Sequence, residues 1–245
     1  MPHDNYNIIH LKEIDSTNDY AQKLISTNKQ VDKTIVLADF QFSGKGQRNN
    51  VWVSNRAENL LMSLIIENLK FDVNNFFVIS MITAIATSNI LKKSGLENIK
   101  IKWPNDILIN GKKIAGMLIV NNLGSTKINS TIIGLGLNIN QTDFENSLNN
   151  ATSVILEIGG KNNITGFAID IADEIFEYYY DTDIENIRKE YEKNLFRIGE
   201  YSEFSDEKNN IFKGKIIGVK QNGQLIVNIN GHLNFLNHHE ARLII

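Results

Sequence analysis

Lysine, arginine, side-chain amides and a single carboxylate gather around both tryptophans of this 245-residue chain. Trp52 closes the run Gly44-Lys45-Gly46-Gln47-Arg48-Asn49-Asn50-Val51, and Trp103 sits inside Lys102-Trp103-Pro104-Asn105-Asp106. Tryptophan is expected in a core, but neighbours of this kind resist burial unless they are paired. An aromatic wall beside a few aimed polar groups is what a small-molecule pocket requires. Pro104 stops the strand before it, so Asn105 and Asp106 are presented at a strand end. Beyond a turn, Lys113-Ile114-Ala115-Gly116 returns with a lysine that leads into small residues, leaving room beside its ammonium. Gly44 and Gly46 allow close backbone approach to a ligand, and Lys45 and Arg48 supply charge for a phosphate or carboxylate. Taken singly, the glycine loop is equally a surface turn with solvated charges, and the 102–106 segment equally an ordinary strand end. Ser16-Thr17-Asn18 reads as a helix cap that can also aim hydroxyls and a helix N-terminus at a ligand. Gln41 adds a neutral donor and acceptor at the end of a strand.

Several chemistries are missing. With no cysteine, disulfides, thiolate metal sites and a thiol nucleophile are excluded. No Gly-x-Ser-x-Gly elbow is present, and the glycine loop has neither the Gly-Lys-Ser/Thr ending of a Walker A loop nor a dinucleotide fingerprint. His3, His10, His232, His238 and His239 lack metal-ligand spacing and read as structural or exposed. Lysines, one arginine, amides and one carboxylate suit the activation of a carboxylate by ATP. Attack on the α-phosphate builds negative charge, which positioned cations and Mg2+ would stabilise.

The elements that must hold these groups follow from periodicity. After the Ser16 cap, Tyr20, Ala21, Leu24 and Ile25 mark one helical face. Residues 34–41 and 60–66 read as strands. A longer helix runs from a cap at Asn74 or Asn75 to about Lys93, with Gly95 closing it. Residues 99–103 form a strand, and residues 107–109 and 114–120 flank Asn110-Gly111, a strong hairpin signal. A strand over 131–139 carries Gly134 and Gly136, which implies a bulge or close approach by another backbone or a ligand. Thr165 is expected to cap a helix with Phe167, Ile171, Ile175, Phe176 and Tyr179 inward, and a further helix covers about 183–195. From 211 onward, short strands separated by Asn222-Gly223 and Asn230-Gly231 form a small all-β module, too small to bury much core alone. Hairpins mixed with helices give an α+β fold, expected as one domain over 1–198 and a second over 199–245.

Bulk composition narrows the class. Hydrophobic residues make up 42% and charged residues 22%, enough core and little enough charge to argue against wholesale disorder. A net charge of -3 offers no footprint for DNA or an anionic membrane. No basic segment followed by an apolar run opens the chain, and no apolar stretch reaches the ~20 residues of a membrane helix, so a cytoplasmic protein is expected.

Four segments in this order resemble the biotin protein ligases (biotin–[acetyl-CoA-carboxylase] ligases): Ser16-Thr17-Asn18, the Gln41 to Trp52 loop, Lys102-Trp103-Pro104-Asn105-Asp106 and Lys113-Ile114-Ala115-Gly116. Gly134-Leu135-Gly136-Leu137-Asn138-Ile139-Asn140 is a fifth match, and the C-terminal module resembles the family's SH3-like β-barrel. The resemblance implies a mixed β-sheet catalytic domain with packed helices. It also implies that biotin and ATP form biotinyl-5′-AMP with release of pyrophosphate, in the presence of Mg2+. Biotin then passes to a lysine of a biotin carboxyl carrier protein, of acetyl-CoA carboxylase or a related carboxylase. By the same resemblance Ser16, Thr17, Asn18 and Gln41 hold the ureido ring, Lys113 holds the carboxylate, Gly44 and Trp52 border the pocket and Gly116 gives the tail room. Lys45, Gln47, Arg48, Trp52, Asn105, Asp106 and Asn138 serve the nucleotide, and Lys113, Lys45, Arg48 and Lys102 the chemistry. Trp103 packs under the strand end. The common loop pattern, Gly-Arg-Gly-Arg-x-Gly-Arg-x-Trp, is depleted here, with Lys45, Gln47, Asn49 and Asn50 at four of its positions. Lys45 and Arg48 are expected to share the phosphate, with a weaker grip on the adenylate. The short form, without an N-terminal DNA-binding domain, is expected. An exposed edge of the main sheet would serve a homodimer or carrier docking. A lipoate or octanoate ligase and a catalytically weak biotin-binding module are the alternatives.

Overall fold

The computed structural model describes residues 6–27, 30–145, 150–181 and 183–244. The chain runs β1 (Asn7–Leu11), α1 (Thr17–Thr27), β2 (Thr34–Ala38), β3 (Leu60–Glu67), α2 (Val78–Lys93), β4 (Ile99–Lys102), β5 (Asp106–Ile109), β6 (Lys112–Leu123) and β7 (Ile128–Leu137). It continues with α3 (Val154–Ile158), α4 (Ile164–Asp181), α5 (Ile184–Lys193), β8 (Tyr201–Asp206), β9 (Ile211–Val219), β10 (Leu225–Ile229), β11 (His232–Leu236) and β12 (Ala241–Leu243). Seven strands form one mixed sheet in the order β1-β2-β3-β7-β6-β5-β4, with only β1 and β2 parallel.

Strand alternation divides the burial. Along β3, Leu60, Met62, Leu64 and Ile66 join the large core under α2, α4 and α5, while Ile65 joins a smaller core beneath α1 with Ala21, Val36 and Ile132. Because α1 covers only the β2, β3 and β7 part of its face, the same face over β6 and β5 is left for a cavity. Contrary to the expectation from sequence, residues 73–93 are apolar and long enough to cross a membrane by length and composition, but most of α2 is buried and serves as core.

The second sheet is antiparallel, ordered β11-β10-β9-β8-β12, and no ladder joins β11 to β12 among the described residues. Phe204, Ile216, Val219, Leu225 and Leu243 belong to the same buried cluster as α2 and α4, so the module is packed onto the main sheet's helices rather than tethered to them. Glu192 of α5 accepts from the Val219 N–H at 2.9 Å, and Trp103 Nε1 donates to the Gly223 carbonyl at 2.8 Å.

Turns matched their chemistry: Asn110 and Gly111 both take positive φ (51° and 80°), as do Asn230 and Gly231 (52° and 88°). Two caps differ from expectation. Asp72, not Asn74 or Asn75, caps a 3-10 turn over Val73–Asn75 by accepting from Asn74 N at 2.9 Å, and α2 starts only at Val78. Asn163, not Thr165, accepts from the Gly166 N–H at 3.1 Å at the start of α4. β1 has only exposed or half-buried side chains and little alternation, so its pairing with β2 identifies it, whereas β8 alternates from Tyr201 to Phe204.

Candidate active site

A cavity of about 570 Å³ opens on the uncovered sheet face. Its floor is made by register. Asp106 on β5 pairs with Gly116 on β6, which pairs with Gly136 on β7, so these three lie in one row. A methyl at Gly136 would collide with the Trp52 indole, and one at Gly116 would meet the same ring at 3.0 Å. The strand glycines mark close approach, not a bulge: the ring lies flat against backbone that carries no side chain. Gly134, one step along, is bare for the Asn18 side chain.

Lys113 and Gly116 are three apart and would face opposite sides of a regular strand. The ladder shifts by one residue between Ile107 and Leu108, and this bulge restores both to the cavity face. Lys113 Nζ accordingly lies 2.7 Å from Asp106 Oδ1 and 5.5 Å from the centre of the Trp52 ring. Trp52 is held by its backbone N–H on the Gly44 carbonyl (2.9 Å), while its buried indole N–H has no partner among the described residues. Gly44 lies behind this wall rather than in it, since any side chain there would strike the Trp52 carbonyl.

One end of the cavity is polar and buried. Thr17 donates to Gln41 Oε1 through both its N–H (2.7 Å) and its hydroxyl (3.0 Å). Ser63 Oγ lies 2.8 Å from Thr17 Oγ1 and 2.6 Å from Asn18 Oδ1, and its single proton serves one of them at a time. Asn18 Nδ2 donates to the Leu118 carbonyl at 3.1 Å, and Ser16 is 2% exposed beside them. Ser63 carried no signal in sequence, since it is one polar residue inside an apolar strand.

The other end is cationic. Lys45, Arg48, Lys102, Lys113 and Arg242 line the cavity against one carboxylate, Asp106. Burial pushes the Lys102 ammonium below its ordinary range; Asp106 opposes this shift, while Lys113, Arg242 and Arg197 add to it. The loop cations are engaged elsewhere at present: Lys45 pairs with Asp19 at 2.7 Å, and Arg48 donates to the Ala241 carbonyl at 3.3 Å from a left-handed backbone (φ 56°). His238, Ala241, Arg242 and Leu243 come from the C-terminal module and were not foreseen. No local pattern could have flagged them, because they meet the site only through the docking of the second sheet.

Gln47 also lines the cavity. Asn105 lines it too, but spends its amide on the Met117 carbonyl (2.9 Å), fastening the Pro104 turn to β6. Asn138 does not line it; it is 4% exposed and donates to the Thr152 carbonyl at 2.9 Å. Of the histidines, His10 pairs with Asp39 at 2.7 Å, His232 and His239 are exposed away from the main cavity, and His3 lies outside the described residues. Among the described residues no group of three His, Asp or Glu could hold a metal ion. A neighbouring cavity of about 670 Å³ shares Arg48, Lys102, Arg242 and Leu243 with the first and adds Asp206, Glu207 and Glu240.

The sequence pattern of the biotin/lipoate A/B protein ligase family matches residues 11–138. The chain is 30% identical over 229 residues to the bifunctional ligase/repressor BirA of Bacillus subtilis, spanning 91% of this chain and 70% of that one. It is 30% identical over 152 residues to the Escherichia coli protein of the same name, covering 62% and 46% respectively. In fold it is similar to the biotin protein ligase of Aquifex aeolicus, with a TM-score of 0.76 at 20% identity over 98% of this chain and 99% of that one. It is also similar to the same enzyme in complex with biotin and ATP, with a TM-score of 0.75 at 22% identity over 97% and 98%.

Proposed function

The chain belongs to the biotin/lipoate A/B protein ligase family, and on that premise we propose that it is a biotin protein ligase. In this reading it activates biotin with ATP and passes it to a lysine of a biotin carboxyl carrier protein. The polarity of the cavity carries the reading: a buried hydrogen-bonding end, an apolar corridor between Trp52 and two glycines, and a cationic end. Biotin has the same order of parts, with a ureido ring, an aliphatic tail and a carboxylate.

Ser16, Thr17, Asn18 and Gln41 meet the ureido group, and Gly116 and Gly136 leave depth for the tail beneath Trp52. The ligand carboxylate then reaches Lys113, which shares its charge with Asp106. Its oxygen attacks the α-phosphorus of ATP and pyrophosphate leaves. In this reading Lys102, half-buried, and Arg48 and Arg242, at the open side of the cavity, stand where charge develops and act as positioned cations. Lys45 and Gln47 close the loop over the nucleotide. Mg2+, in this reading, enters with ATP as the MgATP substrate. In the second half-reaction the lysine amine of the carrier attacks the acyl carbon and AMP departs.

A lipoate ligase would need an apolar end for the dithiolane, whereas this end offers Ser, Thr, Asn and Gln groups whose remaining hydrogen-bonding capacity a dithiolane cannot meet. Pyrophosphate exchange discriminates: it should depend on biotin and be absent with lipoate, and the reverse result would sink the assignment. A purified carrier domain incubated with biotin and MgATP should gain one biotin mass on one lysine; exchange without such a gain would limit the activity to adenylate formation.

A further inference from the structure

The transfer step needs a proton acceptor, because a lysine amine attacks only after its ammonium has lost a proton. Five cations line the main cavity, Lys45 of them paired with Asp19, and the one carboxylate among the lining residues is already paired with Lys113. An incoming ammonium is repelled there, so it must be neutral before it enters. The cavity lining holds one imidazole, His238, contributed by the turn before β12. The residue is exposed and also lines the cavity, which puts its ring where the cavity meets solvent. It makes no hydrogen bond among the described residues, and its only ring neighbour is His239, edge-on at 5.6 Å. Next to it, the second cavity brings Asp206, Glu207 and Glu240 beside Arg48, Lys102 and Arg242, a mixed-charge lining in which an ammonium can find carboxylates.

We propose that His238 is the proton acceptor for the acceptor lysine at the mouth of the cavity. The inference rests on the ligase reading above. The imidazole takes the proton from the ε-ammonium, and the freed amine forms the C–N bond at the acyl carbon. The bond from that carbon to the phosphate oxygen breaks, AMP leaves with its electron pair and takes up the second proton, which the nitrogen releases as the amide forms, and the imidazolium returns its own proton to solvent. His239 and Arg48 act directly on His238, and the other charged groups of the two cavities are Lys45, Lys102, Asp106 and Lys113 from the loop and strands and Asp206, Glu207, Glu240 and Arg242 from the C-terminal module. Partial burial, with His239 and Arg48 beside it, holds the imidazole below its ordinary range, so it is neutral and able to accept at pH 7. Lys102, also lowered, starts from 10.5 and is the competing acceptor.

The test is single-turnover transfer from preformed biotinyl-adenylate to a carrier domain between pH 5 and 9. Wild type should show a rate that falls on the acid side as the imidazole protonates. His238→Asn should slow transfer by about tenfold to a hundredfold and lose that acid limb, while pyrophosphate exchange falls far less. Added imidazole should restore part of the rate in His238→Ala. His239→Asn, at a position that lines the second cavity but not the main one, should keep the limb. An unchanged rate and profile in His238→Asn would overturn the proposal, as would an acid limb that vanishes only in Lys102→Met. If wild type showed no biotin-dependent exchange, the ligase reading itself would fall and this inference with it.

Discussion

Replacing Trp103 by Phe tests whether the C-terminal module holds the Lys102 to Asp106 segment in place. Trp103 is 4% exposed, and its indole N–H reaches across 120 residues to the Gly223 carbonyl at 2.8 Å. The substitution removes that hydrogen bond, worth about 1 kcal/mol net. It leaves a half-buried carbonyl unpartnered, at the low end of the desolvation penalty because water can reach it. Loss of the second ring leaves a small void, adding about 1 kcal/mol. Together these give about 2–3 kcal/mol, which for a chain of this size lowers the melting midpoint by roughly 5–10 °C. Thermal and urea unfolding measure the stability, and steady-state pyrophosphate exchange measures the site. The KM for ATP should rise more than that for biotin, because the polar end of the cavity hangs on α1 and β3, away from Trp103. A midpoint shift under about 2 °C would refute the energetic argument. A full loss of stability with an unchanged KM for ATP would refute the tether.

Two further substitutions probe the wall and the cationic end. Gly136→Ala drives a methyl into the Trp52 ring and displaces the cavity wall; titration calorimetry should find biotin bound at least about tenfold more weakly while stability changes by no more than about 2 kcal/mol, since overpacking is partly offset by a stiffer unfolded chain. Unchanged affinity would remove Trp52 from the pocket. Lys102→Met separates function from stability. The folded-state pKa of Lys102 is depressed, so the charged form costs stability at every pH below that value, and the cost fades only as pH rises through the window up to the unfolded value of 10.5. The variant should therefore melt higher than wild type at pH 7 and lose that advantage at strongly alkaline pH, with exchange reduced by about a hundredfold; a lower melting point at pH 7 would contradict the burial cost.

Local sequence was a good guide wherever a feature depends on a few bonds of backbone. Asn110-Gly111 specified a hairpin because both residues tolerate positive φ, and Gly134 and Gly136 announced a close approach because no other residue leaves a strand face bare. The Ser16-Thr17-Asn18 segment opens α1, as its cap-forming residue types suggest, and with Lys113 and Gly116 it lines one cavity. Other features were settled by contacts the chain makes far from itself in sequence. The β6 bulge that turns Lys113 toward Gly116, the Ser63 hydroxyl under Thr17, and the pairing of Lys45 with Asp19 all depend on which strands and helices become neighbours. The docking of the second sheet decided the most. It carried His238 and Arg242 into the cavity, gave Arg48 the Ala241 carbonyl, and closed the Trp103 indole over Gly223. Residue types and spacing alone thus determined what chemistry this protein can attempt. Which charges face one another depended on buried apolar area joining two sheets, a non-local quantity with no signature in any single segment.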